Sequence, residues 1–203
     1  MSEQTIGTRR DPEAHRIARA RQDEAHKPPL LRDPRPEILA RPLGVRPDLE
    51  LTDAQWAALQ RLEAYDLAPV RARLLKQGVL PADRVDDAIF EFRRFLGLAV
   101  VGCQRRLAVS GPAVDEVWHT CLLFSRLYAD LCEQTVGRFV HHEPLMEGPG
   151  DEARLHEGKR LFEQAYSRVY GEMTTLRALI ELTDEELAGA VGGGGKSGSV
   201  LDR

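Results

Sequence analysis

From Thr52 onward, apolar residues recur at spacings of three and four, and alternating apolar–polar runs are almost absent. That period predicts helices packed on one another rather than a sheet. The most marked run lies between Ser110-Gly111-Pro112, which reads as a helix start, and Gly137, which reads as its end. On a wheel of about 100° per residue, Val114, Val117, Trp118, Cys121, Phe124, Ser125, Tyr128, Leu131 and Cys132 share one face. A face that wide and apolar is expected to form the central contact surface of the fold. Before it, Val85, Ile89, Phe92, Phe95, Leu96, Ala99 and Val100 mark a second core helix opened by Pro81. Gly97 and Gly102 weaken that helix and would let another helix approach closely. After it, Asp151 starts a long helix whose buried stripe is Leu155, Phe162, Tyr166, Val169 and Tyr170.

Shorter elements fill the gaps. Thr52-Asp53-Ala54-Gln55 is a capping box, with Leu51 and Trp56 placed as a hydrophobic staple, and its helix runs to about Tyr65. Pro69 to Gln77 forms another, closed by Gly78. A short piece at Thr174–Glu181 and a second capping box at Thr183–Glu186 follow the last long helix. Arg138-Phe139-Val140-His141 is too short to build a sheet. Six of the twelve prolines fall within residues 28–50. Residues 1–50 therefore read as a polar, proline-rich and partly disordered arm, with Leu30, Leu31, Ile38, Leu39, Leu43 and Val45 able to strap it across the core. Residues 191–203 read as a flexible glycine-rich tail. The expected fold class is all-α: one compact domain over residues 51–190 with about five to seven helices.

Composition narrows the function classes. A net charge of −4 argues against a nucleic-acid footprint, which needs a basic face. No apolar run approaches the roughly 20 residues that span a bilayer, and the first residues lack the apolar core of a signal peptide. A cytoplasmic protein is expected, with another protein as partner and no membrane; oligomeric state stays open. The three cysteines, Cys103, Cys121 and Cys132, match no zinc spacing and read as small buried hydrophobes. The basic clusters at Arg71–Lys76 and Arg93–Arg94 read as solvated helix faces.

Two motifs bear on chemistry. Ala190-Val-Gly-Gly-Gly-Gly-Lys196-Ser197 matches a relaxed phosphate-loop pattern. That loop needs a strand before it and a helix after it, so no nucleotide site is expected. Asp115, His119, His141 and His142 are the set that could hold a metal. Asp115 and His119 are one turn apart on a helix, and a loop histidine could complete a site suited to Zn²⁺ or Fe²⁺. Adjacent histidines usually point apart, so one of His141 and His142 is expected in such a site, His142 first. The alternative is that Asp115 serves the helix dipole while His119 bonds a polar neighbour. Cys121 points about 160° from His119 on the wheel, which disfavours a Cys–His nucleophile. Trp118 is expected to anchor the core.

The block Val114-Asp115-Glu116-Val117-Trp118-His119, with Tyr128, Cys132, Gly137 and His141-His142-Glu143-Pro144, resembles the glycine-rich domain-containing protein-like family over about residues 50–182. A further histidine that members often carry stands here as Cys121. The resemblance implies a small cytosolic helical protein and attaches no reaction. The leading expectation is a binding or adaptor module built around Asp115, Trp118, His119 and His142. The runner-up is a metal-dependent enzyme using Asp115, His119 and His141 or His142; the third is a cargo-type protein docking through Ser199-Val200-Leu201.

Overall fold

A computed structural model describes residues 40–103, 107–108, 111–144, 149–173, 179–180 and 199–201. Six α-helices are present among them: α1 (Asp53–Ala64), α2 (Ala68–Gln77), α3 (Val85–Val100), α4 (Pro112–Leu123), α5 (Ser125–Thr135) and α6 (Pro149–Tyr170). A 3-10 turn at Pro42–Gly44 precedes them. The all-α class holds, with one addition. Strand β1 (His142–Pro144) pairs antiparallel with β2 (Ser199–Leu201), His142 standing opposite Leu201. Ser199–Leu201, expected to lie in a flexible tail, thus form a strand because their backbone pairs with β1. Residues 1–39, Ser110, the Thr183–Glu186 capping box and the glycine run lie outside the described residues. No helix among the described residues is long and apolar enough to cross a membrane.

Local chemistry explains the helix ends. Thr52 Oγ1 accepts from the Gln55 amide at 3.2 Å, and the Thr52 amide donates to Gln55 Oε1 at 3.0 Å, completing the predicted capping box. Gly78 closes α2 in the left-handed region, at φ 64°, its amide donating to the Leu74 carbonyl. Leu43 and Val45 are fully buried, so this end of the proline-rich segment does strap the core.

The centre of the domain is α3, which packs against α1, α2, α4 and α6. It is buried around most of its circumference, through Phe92, Phe95 and Leu96 on one side and Glu91, Arg94 and Leu98 on another. A side chain at Gly97 would collide with the Tyr170 hydroxyl, so that glycine does serve the close approach of α6. Gly102 has open space around it and instead supplies a turn at φ 85°.

Two expectations need correction here. The run from Pro112 to Gly137 is not one helix but two, broken at Phe124, whose φ and ψ are −95° and 58°. No proline or glycine marks the break. Its consequence is geometric: Trp118 and Tyr128 would stand about 15 Å apart along a continuous helix axis. With the break, the Trp118 Nε1–H donates to the Tyr128 hydroxyl at 2.8 Å. The shared face therefore splits into two buried stripes, Val114–Val117–Trp118–Cys121 and Tyr128–Leu131–Cys132, while Ser125 at the joint is exposed. The second correction concerns Arg94, which is not on a solvated face. It is 2% exposed. Its guanidinium donates to the Leu43 carbonyl at 2.9 Å, to Glu91 Oε1 at 3.2 Å and to the Tyr166 hydroxyl at 2.7 Å. Arg71 does lie in solvent, paired with Asp86.

Candidate metal centre

Three donor groups from the start of α4, its middle, and β1 meet at one place. Asp115 sits in the first turn of α4, where the helix dipole favours a carboxylate. His119 is one turn further along the same flank. His142 arrives on β1, after Gly137 (φ 77°) turns the chain back from the end of α5. One ligand atom from each of the three lies within 4.8 Å of the others. His142 Nε2 is 3.1 Å from Asp115 Oδ1, and His119 Nδ1 is 3.7 Å from Asp115 Oδ2.

Those separations suit a shared cation. Ligands bound at about 2.1 Å stand about 3.0 Å apart at a right angle and about 3.4 Å apart in a tetrahedron. The 3.1 Å separation falls within this range, and the 3.7 Å separation lies a few tenths of an ångström beyond it. The shorter one is also a hydrogen-bond distance, so an imidazole N–H can donate to the carboxylate in the absence of an ion.

Exposure differs sharply within the group. The side chains of Asp115 and His142 are each 5% exposed, while that of His119 is 38% exposed. The site is thus rooted in the core and open on one side, through His119. The rings of His119 and His142 lie 4.4 Å apart, and the edge of His142 meets Trp118 at 4.6 Å. Trp118 is fully buried, as expected of a core anchor.

His141 does not join the group. It is exposed and packs on Phe139 at 4.8 Å between ring centroids. The reason is the extended backbone, which sends successive side chains to opposite faces. Of the four residues expected at a metal site, the fold therefore brings Asp115, His119 and His142 together and leaves His141 outside. Cys121 is buried away from them, and burial pushes its thiol up to about 12. A thiol held protonated in this way is a poor nucleophile and a poor ligand.

One feature of the site went unread in the sequence. The Tyr128 hydroxyl accepts from Trp118 Nε1 and donates to the Val140 carbonyl at 2.7 Å. Burial pushes the Tyr128 phenol well above the usual range, which keeps that donor protonated. The motif had placed Trp118 and Tyr128 on one continuous helix, where this bond cannot form.

The fold and the site together define a class: a small helical protein with a two-histidine, one-carboxylate cluster where α4 meets a short strand. The chain belongs to the UCP032817-like family, whose model matches residues 58–168, a span that contains all three donors. No curated protein and no solved structure matches the chain.

Proposed function

We propose that the chain binds one divalent metal ion through Asp115, His119 and His142, and that the ion keeps coordination positions for water or a small oxygen-donor ligand. The observation carrying this is the convergence of the three donor atoms within 4.8 Å. Three protein ligands leave a fourth position free on zinc and three positions free on octahedral iron. A structural zinc site, by contrast, is usually closed by four ligands. The half-exposed His119 puts the open side toward solvent, where a substrate could reach the ion. With such an ion, the chemistry on offer is activation of bound water or polarisation of a carbonyl or phosphoryl oxygen. This is the metal-dependent enzyme reading, with Zn²⁺ or Fe²⁺ as the fitting ions.

The test is elemental analysis of protein purified without a histidine tag, before and after incubation with Zn²⁺ or Fe²⁺. About one ion per chain is expected, lost in His119→Ala and His142→Ala and retained in His141→Ala. Metal-free wild-type protein after both incubations overturns the reading.

The binding-module reading draws on a separate observation. Leu123, one turn past His119, is 65% exposed, and Phe139, on the loop leading to His142, is 39% exposed. Contiguous exposed apolar surface marks places where another protein docks, and these two side chains would supply it on this reading. On this reading the chain is an adaptor of the glycine-rich domain-containing type, and the same cluster shapes its docking face. Docking through Ser199–Leu201 would first require those residues to leave β1.

A further inference from the structure

We infer that Tyr128 is a positioning residue for the metal centre, holding the His142 strand against the helix that carries Asp115 and His119. The inference rests on the metal reading above for its affinity readout, and on geometry alone for its second readout.

His142 lies on a short strand that follows a loop, and neither element has a helix to fix its direction. Beside its pairing with β2 and the His142–Asp115 contact, a relay of two hydrogen bonds ties it to the helices. Trp118 Nε1–H donates to the Tyr128 hydroxyl at 2.8 Å, and that hydroxyl donates to the Val140 carbonyl at 2.7 Å. Trp118, Tyr128 and Val140 are each fully buried, so water cannot substitute for either bond. Val140 is two residues before His142, which puts the anchored carbonyl within one strand repeat of the ligand. Trp118 precedes His119 directly and touches the His142 ring edge-on at 4.6 Å. One indole therefore orients His142 through its ring and, by way of Tyr128, through the backbone behind it. Phe139 stacks edge-on against the Tyr128 ring at 5.1 Å and covers the relay.

Removing the hydroxyl alone isolates the effect. Tyr128→Phe keeps the ring and its contact with Phe139, but leaves Trp118 Nε1 and the Val140 carbonyl unpaired. The control is Tyr170→Phe. It deletes another fully buried tyrosine hydroxyl, one that donates to the Arg94 carbonyl at 3.0 Å in a different part of the core. Zinc affinity, measured by competition with a chromophoric chelator, is expected to fall about 10- to 100-fold in Tyr128→Phe and to stay unchanged in Tyr170→Phe. In metal-free protein, amide exchange at residues 139–143 is expected to speed up in Tyr128→Phe only. Equal affinities and equal exchange in the two variants overturn the inference. If wild-type protein takes up no zinc, the metal reading fails while the exchange comparison still decides whether Tyr128 holds the strand.

Discussion

Two polar clusters are built into this domain, and they differ in what they leave open. The first joins Glu91, Arg94, Tyr166 and Tyr170 between α3 and α6, and every member is at most 2% exposed. Its donors and acceptors are matched. Arg94 donates to Glu91 and Tyr166, Tyr166 donates to Glu91 Oε2 at 2.7 Å, and Tyr170 donates to the Arg94 carbonyl. The Arg94 guanidinium also lies over the Phe90 and Tyr170 rings, at 4.5 and 5.1 Å. The second cluster, Asp115, His119 and His142, gathers groups that all carry lone pairs, and it reaches solvent through His119. A matched and sealed network orders the core. A convergence of ligating atoms with one open side is where we propose a cation. An aromatic run connects the two, passing from Tyr170 through Tyr166, Phe162, Phe95 and Trp118 to His142, with centroids 4.6–6.0 Å apart.

The largest effect is expected where the two regions meet. Trp118 touches Phe95 on one side and His142 on the other. Trp118→Ala should cost about 3–5 kcal/mol in denaturant melts, the usual result of truncating a large buried aromatic. Zinc affinity should fall with it. A stability loss below about 1 kcal/mol would mean that the run of rings carries little of the core.

Arg94→Leu should cost nearly as much, about 3–5 kcal/mol, because it strips a buried carboxylate of its partner. Zinc affinity should not change, and a parallel drop would dissolve the distinction between the clusters. The loss should also depend on pH. Burial already raises the Glu91 carboxyl above the usual carboxylate range, and Arg94 is what pulls it back. Without Arg94 the folded-state value rises further. A raised value favours the protonated folded form, so stability is present below the unfolded value and is lost as pH climbs through the folded one. The gap between variant and wild type should therefore stay constant while both folded carboxyls are protonated, and widen once pH climbs past the raised wild-type value.

The same contrast explains what could be read in advance. Asp115 and His119 were legible because a helix fixes the direction of residues four apart. Gly78 and the Thr52 capping box were legible because end signals act over a few residues. The burial of Arg94 was not legible, since Glu91 and Arg94 at a spacing of three look the same on a wet helix face. Only α6, arriving from some 70 residues away with the Tyr166 hydroxyl, decides the matter. The break at Phe124 has no local signal either, and it follows from where Trp118 and Tyr128 must meet. His142 could be preferred over His141 only by the chain's return after Gly137, and the pleat of the extended segment made the choice.

Cys121→Ala should cost about 1 kcal/mol, the loss of a small buried group, and should leave metal stoichiometry intact. The residue sits one turn of helix past Val117 in the core, with its thiol held protonated by burial. Loss of metal in this variant would place sulfur in the coordination sphere and redraw the site. Inductively coupled plasma analysis of the variant beside wild type decides it.

His119→Ala should be the gentlest change to the fold and the most damaging to the site. The ring is 38% exposed and lies at the open side, so its removal from metal-free protein should shift stability by no more than about 0.5 kcal/mol. Zinc makes the difference visible. An ion that binds only the folded chain adds about 2.7 kcal/mol when it is present at a hundred times its dissociation constant. Wild-type protein should therefore melt higher once Zn²⁺ is added, and His119→Ala should not respond. His141→Ala should respond as wild type does, because that ring packs on Phe139 outside the donor group. Thermal melts of the three proteins with and without Zn²⁺ separate the outcomes. A zinc shift that survives in His119→Ala would move the ion away from this cluster, and with it the contrast between a sealed network and an open one.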